Sequence, residues 1–241
     1  MIGALANFCE LKAEMINRDV TVVLAHGAWA DGSSWSRVID RLVEAGVRSI
    51  AAPLPLTTLD DDVAALERSI NRAGGTVVLA GHAYAGAVIG ATKSEAVKAL
   101  VFVAALAPDE GETVADDFYR TEPHPLAPKL APDEYGLIWL PDEAFGAAFA
   151  QHATKTEQAV LAAVQRPIAP ACISTPVARP RWRDLPSWYL VAQEDRMIQA
   201  ANQQFMACRM GATIASHRVD HAPLLTAPNL VSSLVLDAVR S

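Results

Sequence analysis

Four short clusters in the chain hold residue types that chemistry could use, and each stands where an apolar run ends. Gly81-His82-Ala83-Tyr84-Ala85-Gly86 follows the run 76–80 and precedes another apolar stretch. Small residues in such a place permit a sharp strand-to-helix turn, the nucleophile elbow, whose usual pattern Gly-x-Ser-x-Gly presents a serine hydroxyl. The pattern is broken twice: Ala83 stands where the serine belongs and Ala85 where the second glycine does, and a methyl group cannot attack a carbonyl carbon. His26-Gly27-Ala28-Trp29 follows the run 20–25. Small residues there would let the N–H groups of Ala28 and of Tyr84 face a developing oxyanion. In Gln193-Glu194-Asp195-Arg196, Asp195 is preferred to Glu194 as the carboxylate that orients an imidazole. In Asp220-His221-Ala222-Pro223, His221 sits on a loop suited to a general base, whereas its competitor His217 falls inside a strand pattern.

Each cluster alone has an ordinary explanation, such as tight packing, a strand-end turn or a solvated acidic loop. Their order, elbow then acid then histidine on separate strand ends, points to nucleophilic acyl transfer. His-Glu-x-x-His, a P-loop and a post-strand Gly-x-Gly-x-x-Gly are all missing from the sequence, so zinc-protease, phosphate-loop and dinucleotide chemistry lose their usual signatures.

The elements that must position these clusters read as alternating strands and helices, the mark of βαβ units on a parallel sheet. Residues 20–25, 49–52, 76–80, 99–104, 188–192 and 213–219 read as strands. Trp35, Val38, Ile39 and Leu42 mark a helix that Ser33 or Ser34 can cap and Gly46 stops. Asp60, Asp61 and Asp62 open another, where the helix dipole favours negative charge, and Gly74-Gly75 ends it. Further helices are expected at about 200–210 and from Asn229. Between residues 107 and 180 the alternation stops. Prolines recur there and aromatics gather, with short helical stretches at 142–152 and 156–165. This segment reads as a cap inserted into a core made of residues 1–106 and 181–241. The aromatics Trp29, Trp139, Phe145 and Phe149 are the pocket walls named first.

At 241 residues with 51% hydrophobic content, the chain suits one large α/β domain. No apolar run approaches the ~20 residues of a spanning helix, and a net charge of −7 disfavours nucleic-acid and anionic-membrane partners. Cys9, Cys172 and Cys208 lack Cys-x-x-Cys spacing and read as reduced thiols of a cytoplasmic protein. Residues 1–17 hold Glu10 and Glu14 and lack a basic leader and a cleavage site, so they do not read as a signal peptide. Met15 offers an alternative start. A small-molecule substrate is the expected partner, and a homodimer is compatible with this reading.

From about Thr21 to its end the chain resembles the α/β-hydrolase superfamily. It is similar in particular to small, cofactor-free bacterial esterases whose oxyanion turn reads His-Gly-Ala-Trp/Phe-Ala-Asp-Gly-Ser-Ser-Trp, here His26 to Trp35. Plant methylesterases and hydroxynitrile lyases are a more distant likeness through His26-Gly27-Ala28-Trp29. The resemblance implies a mainly parallel sheet with helices on both faces, a helical cap between the fourth and fifth strands, and no metal or organic cofactor. It also implies a catalytic serine at position 83, completed by Asp195 and His221, with Ala28 and Tyr84 N–H as the oxyanion hole.

The expected parent activity is hydrolysis of a carboxylic ester or lactone with an apolar body. Three explanations of Ala83 are kept. A Ser-to-Ala replacement that leaves the chain nearly inactive is preferred, because alanine truncates serine with the least disturbance. The others are a receptor-like binder of small molecules and a chemistry run by Asp195 and His221 alone. A cofactor-free lyase of the hydroxynitrile type is the alternative enzyme.

Overall fold

The computed structural model describes residues 19–241. The readings made for residues 1–17, and Cys9, lie outside the described residues. Six strands form one sheet: β1 Val20–Ala25, β2 Arg48–Ala52, β3 Thr76–His82, β4 Val97–Val103, β5 Ser187–Ala192 and β6 Thr213–His217. The spatial order is β2-β1-β3-β4-β5-β6, and every pairing is parallel. All strand carboxyl ends therefore share one edge, where ligands of open α/β sheets bind.

The near-continuous apolar strands follow from burial on both faces. Along β1 and β3, Val23, Ala25, Val77 and Leu79 enter one core while Val22, Leu24, Val78 and Ala80 enter the other. Helices α1 (Ser36–Glu44), α2 (Leu59–Ala73), α3 (Ala85–Gly90), α4 (Val114–Phe118), α5 (Lys155–Val164), α6 (Pro170–Ser174), α7 (Ala200–Arg209) and α8 (Pro228–Arg240) surround the sheet. Leu66 and Ile70 of α2, Val88 and Ile89 of α3 and Met206 of α7 fill the first core. Val38 and Leu42 of α1, with Val231 and Val235 of α8, fill the second.

Local boundaries differ from the sequence pattern in small, explicable ways. Neither Ser33 nor Ser34 caps α1. Asp31 instead accepts from the Ser33 N–H at the start of a 3-10 turn, Gly32–Trp35, and α1 begins at Ser36. For α2 the cap is Thr58, which accepts from the Asp61 N–H, and Gly74 at φ +67° ends it. β6 stops at His217 rather than reaching Val219.

Between β4 and β5 the chain leaves the sheet and forms α4, α5, α6 and irregular connections. Asp142–Ala144 is a short helix that runs into a π turn, Phe145–Phe149. Ile138 bridges Pro132 and Ile168 in antiparallel fashion. Among the described residues no helix is long and apolar enough to cross a membrane, and Cys172 and Cys208 are free.

The joint between β3 and α3 is tightly packed against backbone. A Cβ built on Gly81 would lie 2.7 Å from the Ala85 carbonyl oxygen, and one on Gly86 would overlap the Leu106 carbonyl. Both obstacles are backbone, so neither can swing aside. Overpacking of this sort costs about 1–3 kcal/mol or more. Gly86→Ala should therefore lower the melting temperature by about 4–8 °C, taking ~2 kcal/mol at 2–4 °C per kcal/mol for a domain of this size. Thermal denaturation followed by circular dichroism checks this.

Candidate active site

Among the described residues four non-glycine positions have positive φ, and each follows one of the first four strands: Trp29 (+57°), Leu56 (+62°), Ala83 (+51°) and Ala104 (+44°). Backbone strain of this kind persists only where the surroundings over-determine it. At Ala83 they do. Its N–H donates to Val103 O at 3.2 Å, and its carbonyl accepts from Gly86 N–H at 3.1 Å and Leu106 N–H at 2.9 Å. The turn thus swings the chain from β3 into α3 and leaves the Ala83 methyl and Tyr84 on the wall of a cavity.

The His26–Trp29 turn packs directly against it. A Cβ on Gly27 would stand 3.0 Å from Ala83 Cβ and 3.1 Å from His82 O, so only glycine lets the two turns approach this closely. His26 fixes the turn from beneath. Its Nε2 accepts from Leu54 N–H at 3.2 Å, which leaves Nδ1–H to donate to Gly27 O at 2.9 Å. Trp29 is held twice by the segment between β4 and β5: its N–H donates to Arg166 O at 3.0 Å and its Nε1–H to Ile138 O at 2.9 Å. The N–H groups of Ala28 and Tyr84 donate to no acceptor among the described residues.

Asp195 and His221 meet as the sequence order implies. His221 Nδ1–H donates to Asp195 Oδ2 at 2.8 Å, with both side chains buried. Gln203 Nε2 donates to the same oxygen at 2.7 Å, while Oδ1 accepts from the N–H groups of Met197 (2.7 Å) and Ile198 (2.8 Å). A carboxylate bonded on both oxygens in this way is held in one orientation. His221 Nε2 has no hydrogen-bond partner among the described residues, and the ring lines the cavity with Ala83. Glu194 instead pairs with Arg218 at 2.9 Å and His152 at 3.1 Å, and His217 ends β6 away from the cavity lining.

Several residues of the site carried no signal in the sequence. His82 lies buried beside His221, ring centroids 4.9 Å apart, and donates from Nε2–H to the His221 carbonyl at 2.7 Å. Burial, reinforced by the neighbouring His221, pushes His82 down to about 3, so it is neutral. Gln203, on α7, also accepts from Ala192 N–H at 2.9 Å and so ties β5 to the acid. Asp62, on α2, accepts from Tyr84 OH and from Leu56 N–H, both at 2.7 Å, and burial raises its carboxyl above the ordinary range. Only the place of His82 inside the elbow motif could have drawn attention to it.

The cavity has a volume of ≈ 260 Å³ and is lined by Ala28, Trp29, Ala83, Tyr84, Leu106, Val114, Ala115, Phe118, Tyr119, Leu130, Pro132, Ile138, Ile168, Pro170, Ile173, Met197, Ile198 and His221. Of the aromatics expected as walls, Trp29 belongs to this lining. Trp139 does not: it is 45% exposed and its Nε1–H donates to Asp133. Phe145 and Phe149 are core residues, 0% and 2% exposed, and Phe149 meets the His221 ring edge-on from outside the cavity. The segment between β4 and β5 instead lines the space with Phe118 and Tyr119 and with aliphatic residues such as Leu130, Ile138, Ile168 and Ile173. Among the described residues no cluster of histidine, cysteine or carboxylate side chains could hold a metal ion.

Two measurements test this arrangement. Gln203→Ala strips donors and an acceptor from a buried network, and an unsatisfied buried group costs about 1–3 kcal/mol. It should lower the melting temperature clearly, while Gln204→Ala on the exposed face of α7 should stay within about 0.5 kcal/mol. The second concerns pH. An unfolded chain binds a proton at His82 from about pH 6.5, whereas the folded protein resists until about 3. The stability this lends is complete above pH 6.5 and is lost as pH falls, at up to about 1.4 kcal/mol per pH unit. His26, also lowered by burial, acts in the same direction, and Asp62 and Asp117, raised by burial, act oppositely. The informative comparison is therefore differential: between pH 6.5 and 5, His82→Gln should lose stability less steeply than the unaltered protein in urea titrations.

Comparison with known proteins bears on the whole assembly. A relative from Aspergillus novofumigatus, "Alpha/beta hydrolase nvfD", is 25% identical over 243 residues, covering 90% of this chain and 95% of its own. Polyneuridine aldehyde esterase superposes with a TM-score of 0.78 at 18% identity, over 91% of this chain and 98% of the other. An extracellular alpha/beta-hydrolase from a Paenibacillus species gives 0.76 at 21% identity, over 92% and 100%. At these identities the two solved structures speak for the fold. The model of the alpha/beta hydrolase family covers residues 22–233, from within β1 through every site residue described above, and the chain belongs to that family.

Proposed function

We propose that the chain carries the binding and acid–base apparatus of a carboxylic ester or lactone hydrolase, with residues 107–180 as its cap, and that alanine at 83 closes the acyl-enzyme route. One observation carries this reading: His221, bonded to Asp195 at 2.8 Å, lines the same cavity as Ala83, Ala28 and Tyr84. With serine at 83, His221 Nε2 would accept the hydroxyl proton while Asp195 holds the imidazole tautomer. The tetrahedral oxyanion would meet the N–H groups of Ala28 and Tyr84, and water would then release the acid. The names of the solved neighbours, an esterase among them, support the same reaction class.

The lining also narrows the substrate. It contains no lysine, arginine or carboxylate, and the Tyr84 hydroxyl is already committed to Asp62. A charged group brought into such a space would lose its hydration without gaining a partner. The substrate is therefore neutral and largely apolar, with its carbonyl as the polar feature. Ala83 itself favours a second reading, a binder that captures such a molecule without turning it over.

The deciding experiment is Ala83→Ser. Loss of a serine nucleophile costs on the order of a million-fold in turnover in subtilisin, so the variant should gain several orders of magnitude on a short p-nitrophenyl ester. Adding His221→Ala should remove most of the gain. A well-folded Ala83→Ser protein that stays as slow as the unaltered alanine protein across neutral esters and lactones would favour the binder.

A further inference from the structure

We infer that the chain as it stands, with alanine at 83, hydrolyses activated neutral esters or strained lactones by a single displacement, in which His221 draws a proton from water and no acyl-enzyme forms. This rests on the ester-hydrolase reading of the same cavity. It differs from that reading in needing no side chain at position 83.

Each part of such a reaction is present without serine. Because His221 Nδ1–H is given to Asp195, its Nε2 carries the lone pair and is the basic atom, and among the described residues nothing hydrogen-bonds to it. The second histidine cannot take this part, since its Nε2–H is given to the His221 carbonyl and it lies outside the cavity lining. The oxyanion donors are backbone groups of Ala28 and Tyr84. Their direction depends on the turn, which Gly81, Gly86 and the bonds of Ala83 to Val103, Gly86 and Leu106 hold in place. Ala83 keeps φ at +51° although a methyl group gains nothing from being presented.

The cavity also admits the second reactant. At ≈ 260 Å³ it exceeds the roughly 30 Å³ that a water molecule occupies in the liquid by several-fold. A held water needs polar partners. His221, Ala28 and Tyr84 share with Ala83 a lining that is otherwise almost wholly apolar. A neutral ester placing its carbonyl oxygen on the N–H groups leaves Nε2 to the water. His221 then takes one proton from that water as its oxygen bonds to the carbonyl carbon. The ester C–O bond breaks next, and the proton passes from Nε2 to the departing alkoxide, giving acid and alcohol with the imidazole restored. Water is a weaker nucleophile than an activated serine, which restricts the route to good leaving groups and strained rings.

The test uses the unaltered protein with His221→Ala, Asp195→Asn and Ala83→Ser beside it, on p-nitrophenyl butyrate and on a β-lactone. General-base catalysis contributes about 10²–10⁴-fold, so kcat/KM of the unaltered protein should exceed that of both dyad variants by about 10² or more. Progress should be linear from the first turnover. Treatment with a fluorophosphonate should leave the rate unchanged, and intact mass spectrometry should find no acyl adduct. Ala83→Ser should show the opposite behaviour, with a burst and fluorophosphonate sensitivity. Equal rates for the unaltered protein and both variants, all with native melting curves, overturn the inference, as does an acyl adduct on any side chain. If Ala83→Ser is fast while the unaltered protein is not, the ester-hydrolase reading stands and only this inference falls. If neither is active, both fall.

Discussion

The left-handed backbone at Ala83 is the constraint on which the rest of the site depends. A non-glycine residue at φ +51° stores of order 1–3 kcal/mol, and nothing in the alanine side chain repays it. The surroundings do. The Ala83 carbonyl receives two N–H groups, its own N–H reaches β4, and the glycines at 81 and 86 let β3, α3 and the Leu106 carbonyl crowd together. Because that crowding is backbone against backbone, the turn has one arrangement available. The approach of Gly27 and the placement of Tyr84 follow from it.

Around this turn, buried polar groups position the Asp195–His221 pair. Asp195 is satisfied on both oxygens by two N–H groups, Gln203 and His221. His82, neutral because burial forbids its cation, holds the backbone of the residue whose ring Asp195 orients. His26 does the same for the Gly27 carbonyl and the Leu54 N–H. Three histidines thus share one small volume with distinct tasks. Their hydrogen bonds separate those tasks: both nitrogens of His26 and Nε2 of His82 are occupied by backbone, whereas His221 keeps one nitrogen toward the cavity.

The segment between β4 and β5 is fastened to the loops that follow β1 and β2. Arg166 and Ile138 carbonyls hold Trp29, and the Leu56 carbonyl accepts from Ala169 N–H at 3.0 Å. The largely apolar lining contributed by this segment gives a low local dielectric, in which hydrogen bonds are stronger than in water.

Much of this was legible in the chain alone. Strand positions could be read because burial on both faces imposes continuous apolar runs, and the elbow because a strand-to-helix turn demands small residues. Asp195 and His221 could be named because each closes a run, in an order that the parallel topology converts into one edge. The pocket could not be read. Trp139, Phe145 and Phe149 have the composition of a wall, yet one is at the surface and two are core, because a residue's side of a packed segment depends on how that segment folds back. The supporting residues were equally silent: Gln203 and Asp62 are ordinary polar positions on amphipathic helices until tertiary packing brings them to Asp195 and Tyr84. Sequence by itself determined the order of the strands along the chain and the chemistry available at their ends. Only the tertiary structure decided which polar side chains support that chemistry, because a buried hydrogen bond is specified by proximity in space and leaves no spacing in the chain to be read.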